Sequence, residues 1–271
     1  MDWATMSRAD RDAAYNNGAA VPGGLENIAR WAEASAAIRA AAPAHLDLPY
    51  GTGERNRWDL FPAADPKAPC LVFIHGGYWQ RQTRETFACM ADGVRAHGWS
   101  AALPGYTLAP AATLTGIVAE LRAAFDWLEE NGAAHGIDGP LIVSGWSAGG
   151  HLAAMMLGHP AVAAGLAVSG VFELGPLRDT YLNAALNLSD REIATLSPLR
   201  LTPVPKPLGI AYGTAELPML MADSRALSTC RAAAHCAGFL LPVAGANHFT
   251  ILEQLRAPDG DLTKAALTLV P

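Results

Sequence analysis

The chain has 271 residues, an ordinary length for one large α/β domain with a fully buried sheet. Apolar residues make up 51% and charged residues 16%, which excludes a disordered chain, and a formal net charge of −6 offers no basic face to nucleic acid. No run of about 18 uninterrupted apolar residues predicts a membrane span.

The first stretch, MDWATMSRADRDAAYNNG, carries early charges and nothing like the apolar core of a leader, so a cytoplasmic protein is expected. The four cysteines, Cys70, Cys89, Cys230 and Cys236, lack paired CxxC spacing and are expected to be reduced. Cys230, His235 and Cys236 fall short of the four recognisably spaced ligands that zinc requires, so no metal and no organic cofactor is predicted.

From Leu25 to Ala42 apolar residues recur every three or four positions, which predicts a helix. HLDLPYG and RWDLFPA, separated by GTGERN, read as an antiparallel hairpin at a sheet edge. Compact apolar runs then follow at Cys70–His75, Trp99–Tyr106, Leu141–Trp146, Leu166–Val171, Leu208–Gly213 and Phe239–Gly245. Continuous apolar strands are what a parallel sheet covered on both faces needs. Helical patterns lie between them, at about Thr83–His97, Thr113–Asn131, Ala148–Leu157 and Leu217–Ala237. Alternating strand and helix predicts a doubly wound, mostly parallel sheet in a single domain spanning residues 1–271. Residues 172–205 interrupt the rhythm with several prolines and no obvious strand, and are expected to form a short lid over the sheet's C-terminal edge.

Gly145-Trp146-Ser147-Ala148-Gly149 matches G-x-S-x-G, with a buried strand before it and a helix after it. That context puts Ser147 on a strained strand-to-helix turn, exposed above the sheet as a nucleophile. Gly145 and Gly149 lack Cβ atoms that would collide across so sharp a bend. The strand at Cys70–His75 runs directly into His75-Gly76-Gly77-Tyr78-Trp79, a glycine-rich loop suited to aiming N–H groups at an oxyanion. Gly77 and Tyr78 are the expected donors, with Ala148 directly after the nucleophile as the third. His75 reads as a structural residue orienting the loop.

In this order of elements the acid precedes the base. Glu216 follows the strand Leu208–Gly213 and His248 follows Phe239–Gly245, so both should reach the same sheet edge as Ser147. His248 would take the serine proton while Glu216 holds the imidazole's tautomer. Asp223 is the competing acid, placed within a helix rather than at a strand end. Trp79, Trp146 and Phe172 flank these loops and are expected to line a pocket for a flat substrate.

HGGYW after an early strand, GWSAGG, GTAELP and NHF together resemble the kynurenine formamidase (arylformamidase) group of α/β-hydrolases. DAAYNNGAAVPG and REIATLSPL resemble further segments of its bacterial members, so the likeness runs from about Asp12 to Glu253. It implies an α/β-hydrolase fold and a serine hydrolase that cleaves a small aryl formamide through an acyl-enzyme. In that group the second glycine of the HGGxW signature and the residue after it supply oxyanion N–H groups, which here are Gly77 and Tyr78. A short-chain carboxylesterase and a non-catalytic binding protein on a hydrolase scaffold are the competing readings. The expected partner is a small-molecule amide or ester, with no nucleic acid and no membrane; a homodimer is left open.

Overall fold

The computed structural model describes residues 3–42 and 45–270, so Met1 and Asp2 of the N-terminal stretch lie outside the described residues. Three helices come first, α1 (Arg8–Ala13), α2 (Asn17–Ala20) and α3 (Gly24–Ala40). The strands are β1 (Leu48–Pro49), β2 (Arg57–Phe61), β3 (Cys70–Ile74), β4 (Ser100–Pro104), β5 (Leu141–Trp146), β6 (Val162–Val168), β7 (Leu208–Gly213) and β8 (Gly238–Val243). Between and after them run α4 (Asp92–Arg95), α5 (Leu114–Asn131), α6 (Ala148–Met156), α7 (Asn183–Leu186), α8 (Asp190–Leu196), α9 (Pro218–Ala233), α10 (Glu253–Arg256) and α11 (Asp261–Leu267).

All eight strands form one sheet in the order β1-β2-β4-β3-β5-β6-β7-β8. β2 runs antiparallel to β1 and β4, and every pairing from β4 to β8 is parallel. The chain winds outward from β3 to β4, then returns to pair β5 on the other side of β3. That reversal leaves a crevice above the C-terminal ends of β3 and β5, where sheets of this kind place their ligands.

β3 shows why the strands read as continuous apolar runs. Cys70, Val72 and Ile74 pack into one core and Leu71 and Phe73 into the other, all of them buried. Successive side chains point to opposite faces, and here both faces are covered. The first core takes Leu121, Phe125 and Leu152 from α5 and α6, and the second takes Trp31, Phe87 and Leu255 from elements on the other side. α5 begins where the Thr113 hydroxyl accepts the Gly116 N–H at 3.1 Å, an N-cap, and its buried residues recur from Leu114 to Leu128 at three- and four-residue spacing.

Two elements differ from expectation. β6 begins and ends earlier than Leu166–Val171, because Ser169 takes a positive φ of 51° that no strand accommodates. The segment at Thr83–His97 is a 3-10 helix, Arg84–Ala91, followed by the single turn of α4. Residues 172–205 contain no strand and fold into short helical turns including α7 and α8. Among the described residues no helix is long and apolar enough to cross a membrane.

Candidate active site

Ser147 sits between β5 and α6 with φ 59° and ψ −121°, a backbone state that strains any residue with a Cβ. The turn is tight enough that a Cβ on Gly149 would lie 2.0 Å from the Ile74 carbonyl oxygen, so only glycine lets α6 press against the end of β3. Ser147 is 2% exposed, on the floor of a cleft rather than standing proud of the sheet as expected. Ser147 and His248 both line this cleft.

β7 and β8 lie side by side, and their C-terminal loops are stitched together. Thr214 N–H donates to the Val243 carbonyl at 3.0 Å, Ala215 N–H to Ala246 at 2.9 Å, and Gly245 N–H to Thr214 Oγ1 at 2.8 Å. The stitching brings Glu216 beside His248, with Glu216 Oε2 2.8 Å from His248 Nδ1. The other oxygen, Oε1, accepts from Ser169 Oγ and from Gly213 N–H, both at 2.6 Å. Three groups thus hold the buried carboxylate in place: His248 Nδ1, Ser169 Oγ and Gly213 N–H. Sequence reasoning missed Ser169; its only signal is position at a strand end, and its positive φ is what turns the hydroxyl to Glu216.

His248 is fixed from its backbone side as well. Trp146 Nε1 donates to the His248 carbonyl at 2.7 Å, and the two rings stand 4.8 Å apart. Asn247 Oδ1 accepts the N–H groups of Phe249 and Thr250, both at 2.9 Å, and so makes the turn that presents the imidazole. Among the described residues no hydrogen bond joins Ser147 Oγ to His248 in this conformation; such contacts commonly tighten only when substrate binds.

Asp223 faces elsewhere. Its Oδ2 accepts the N–H groups of Phe172 at 2.7 Å and Glu173 at 3.1 Å, pinning the start of the 172–205 segment to α9. Burial pushes its carboxyl up to about 7 against the pull of those two donors.

The loop after β3 turns on Gly77, with φ +108°, where an added Cβ would lie 2.3 Å from the Arg81 carbonyl oxygen. Tyr78 and Trp79 follow with φ 52° and 57°. Gly77 and Tyr78 line the cleft, and among the described residues their N–H groups donate to no protein acceptor. Ala148 is the first residue of α6, so its N–H has no acceptor within the helix and lies at the positive end of the helix dipole. Three N–H groups are therefore free around Ser147. His75 stands under the loop, stacked on Tyr106 with ring centroids 4.3 Å apart, its Nδ1 2.8 Å from the Gly76 carbonyl. Burial holds this imidazole down to about 4, so it is neutral at physiological pH.

The expected pocket residues divide. Trp146 lines the cleft as well as holding His248. Trp79 and Phe172 do not line it: both are fully buried. The positive φ of Trp79 turns its ring inward, edge-on to His151 at 5.1 Å, and the Asp223 staple draws the start of the 172–205 segment, with Phe172, into the core. Of residues 172–205, Tyr181 alone lines the cleft. The rest of that wall comes from the N-terminal segment, through Asn16, Asn17, Gly18, Leu25 and Ile28, which sequence reasoning did not place there. Trp3 Nε1 donates to Asp179 at 3.2 Å and Tyr181 N–H to Asp12 at 2.7 Å, fastening this segment in place.

Cys230 is exposed and Cys236 partly so, both as free thiols. Among the described residues the one grouping with metal-ligand spacing is Asp126, Glu129 and His159, which lies outside the cleft lining.

A family model described as BD-FAE matches residues 59–162. The chain is 25% identical to a kynurenine formamidase of Danio rerio, over 99% of this chain and 98% of the relative. It is 28% identical to a kynurenine formamidase of Salmo salar, over 88% and 86%. A crystal structure from Silicibacter sp. TM1040 described as a thioesterase superposes with a TM-score of 0.83 at 29% identity, over 94% of this chain and 98% of that one. The chain is an α/β-hydrolase, and a hydrolase of the formamidase and esterase kind.

Proposed function

We propose that the chain hydrolyses a small aryl formamide, of the N-formylkynurenine type, through an acyl-enzyme on Ser147. The observation that carries this reading is the Glu216–His248 contact at 2.8 Å beside a serine that shares its cleft. His248 accepts the Ser147 proton as the hydroxyl attacks the carbonyl carbon, and Glu216 stabilises the imidazolium that forms. The N–H groups of Gly77, Tyr78 and Ala148 receive the developing oxyanion. His248 then gives its proton to the leaving amine. Water, deprotonated by the same imidazole, releases the acyl group as the free acid and restores Ser147.

The small cleft, walled by Trp146, Phe249, Leu25 and Ile28, suits a flat ring with a short acyl group. In this reading the chain is one catalytic domain, with residues 172–205 as a short lid, working in the cytoplasm on a soluble substrate without metal or cofactor. Four free cysteines agree with a reducing compartment. A homodimer is included as its assembly, to be read by sedimentation.

A kinetic comparison of N-formylkynurenine with nitrophenyl acetate and butyrate tests the substrate. A kcat/KM for N-formylkynurenine below that of both esters makes the protein a short-chain carboxylesterase instead. Labelling of Ser147 by an organophosphate tests the nucleophile, and failure to label leaves a non-catalytic scaffold.

A further inference from the structure

One wall of the cleft holds a hydrogen-bond acceptor that the chemistry above does not use. Asn17, the first residue of α2, lines the cleft and is 4% exposed. Its Nδ2 donates to the Tyr78 hydroxyl at 3.1 Å, and that hydroxyl donates to the Tyr15 carbonyl at 2.6 Å. A phenol has one proton. With that proton committed to Tyr15, the Tyr78 oxygen can only accept from Asn17, so the amide's orientation is fixed by its network. Nδ2 must face Tyr78, and Oδ1 must face away from it.

Oδ1 is buried and has no partner among the described residues. Capping does not explain it, because the neighbouring Asn16 side chain already accepts the Ala19 N–H as the N-cap of α2. A buried carbonyl oxygen without a donor is costly, and its usual justification is a partner that arrives later. Tyr78 locates it relative to the chemistry. The backbone N–H of Tyr78 is a proposed oxyanion donor, and its phenol end meets Asn17, so the acceptor stands about one aromatic ring away from the reacting carbonyl.

We infer that Asn17 is a specificity-determining residue whose Oδ1 accepts a hydrogen bond from an N–H donor on the substrate, about one ring's length from the scissile bond. The substrate class is then a small aryl amide or ester bearing an amino group on its ring side. This inference rests on the hydrolytic reading of the same site. An apolar group of equal size in that place would leave Oδ1 unpaired and be disfavoured.

The test uses aryl acetates carrying either an amino or a methyl substituent at the 3- or 4-position, which match in size and differ in the donor. The wild-type protein should favour the amino member of at least one pair by about tenfold or more in kcat/KM. Asn17→Ala should bring that preference close to unity, and Asn17→Asp, which retains an acceptor oxygen, should restore it. The ratio within each variant cancels any general loss from a displaced Tyr78, so a merely structural role would lower both rates and leave the ratio unmoved. An unmoved ratio in Asn17→Ala overturns the inference, as does a wild-type ratio near one in both pairs. Wild-type failure to hydrolyse any of the four acetates, the matching formanilides or N-formylkynurenine would instead refute the hydrolytic reading itself.

Discussion

Replacing Glu216 by Gln keeps the shape of the side chain and removes its charge, and the surrounding donors dictate the outcome. The Gly213 N–H is backbone and cannot reorient, so it requires an oxygen 2.6 Å away. Ser169 Oγ sits at the same distance from the same atom. The carboxamide must therefore place its oxygen toward Gly213 and its NH₂ toward His248 Nδ1. An NH₂ there forces Nδ1 to accept, which moves the imidazole proton to Nε2. The nitrogen that should take the serine proton then already carries one. The same inversion of tautomer in a serine protease triad costs about 10⁴ in kcat, or about 5.5 kcal/mol at 1.36 kcal/mol per decade. Initial rates with nitrophenyl acetate, alongside circular dichroism to verify the fold, provide the assay. A loss smaller than tenfold with the fold intact would refute the assignment of Glu216.

Ser147→Ala should lower kcat by several orders of magnitude while leaving a residual rate of about 10³ over water from the free N–H groups; retention of a tenth of wild-type activity is incompatible with a nucleophilic Ser147. Gly77→Ala places a Cβ against the Arg81 carbonyl at a positive φ, and should reduce kcat by about 10²–10³ as the oxyanion turn shifts, read from the same ester assay. Asp223 makes a stability prediction with a definite sign. Its carboxyl is raised from 3.8 to about 7 in the folded chain, so its contribution is fully present below the ordinary carboxylate range and is lost as pH rises through 7. Three pH units correspond to about 4 kcal/mol at most. Urea midpoints at pH 5 and pH 8 should fall more for wild type than for Asp223→Asn, and parallel changes in both would contradict this.

The parts of the site that follow strand ends were legible because the chemistry there is local. Gly145 through Gly149 identify a strand-to-helix turn from five consecutive residues, and Glu216 and His248 each follow an apolar run that could only be a buried strand. What could not be read depends on contacts between distant segments. Ser169 reaches Glu216 because its φ is positive, and nothing in Val-Ser-Gly announces that angle. Trp79 has the composition of a pocket residue, but the sign of one backbone dihedral turns it inward onto His151. The β6 boundaries were displaced because an Ala- and Gly-rich run carries little period to mark where a strand starts. Asn16 and Asn17 fall in DAAYNNGAAVPG, which resembles a family segment but carries no sign of where it packs, and only the folded Tyr181 and Tyr78 give them a place.

That placement has a consequence for how the protein is made. The cleft wall built by residues 3–28 is synthesised before the sheet it docks against, yet Asp12 finds its partner, Tyr181 N–H, 169 residues later. Until the loop after β3 and the turn bearing Tyr181 are in place, Asn17 and Asp12 lack their partners. The wall must therefore wait, unpacked, through most of synthesis and dock onto a sheet that has already formed. Contacts so far apart in sequence are slow to make and easily lost.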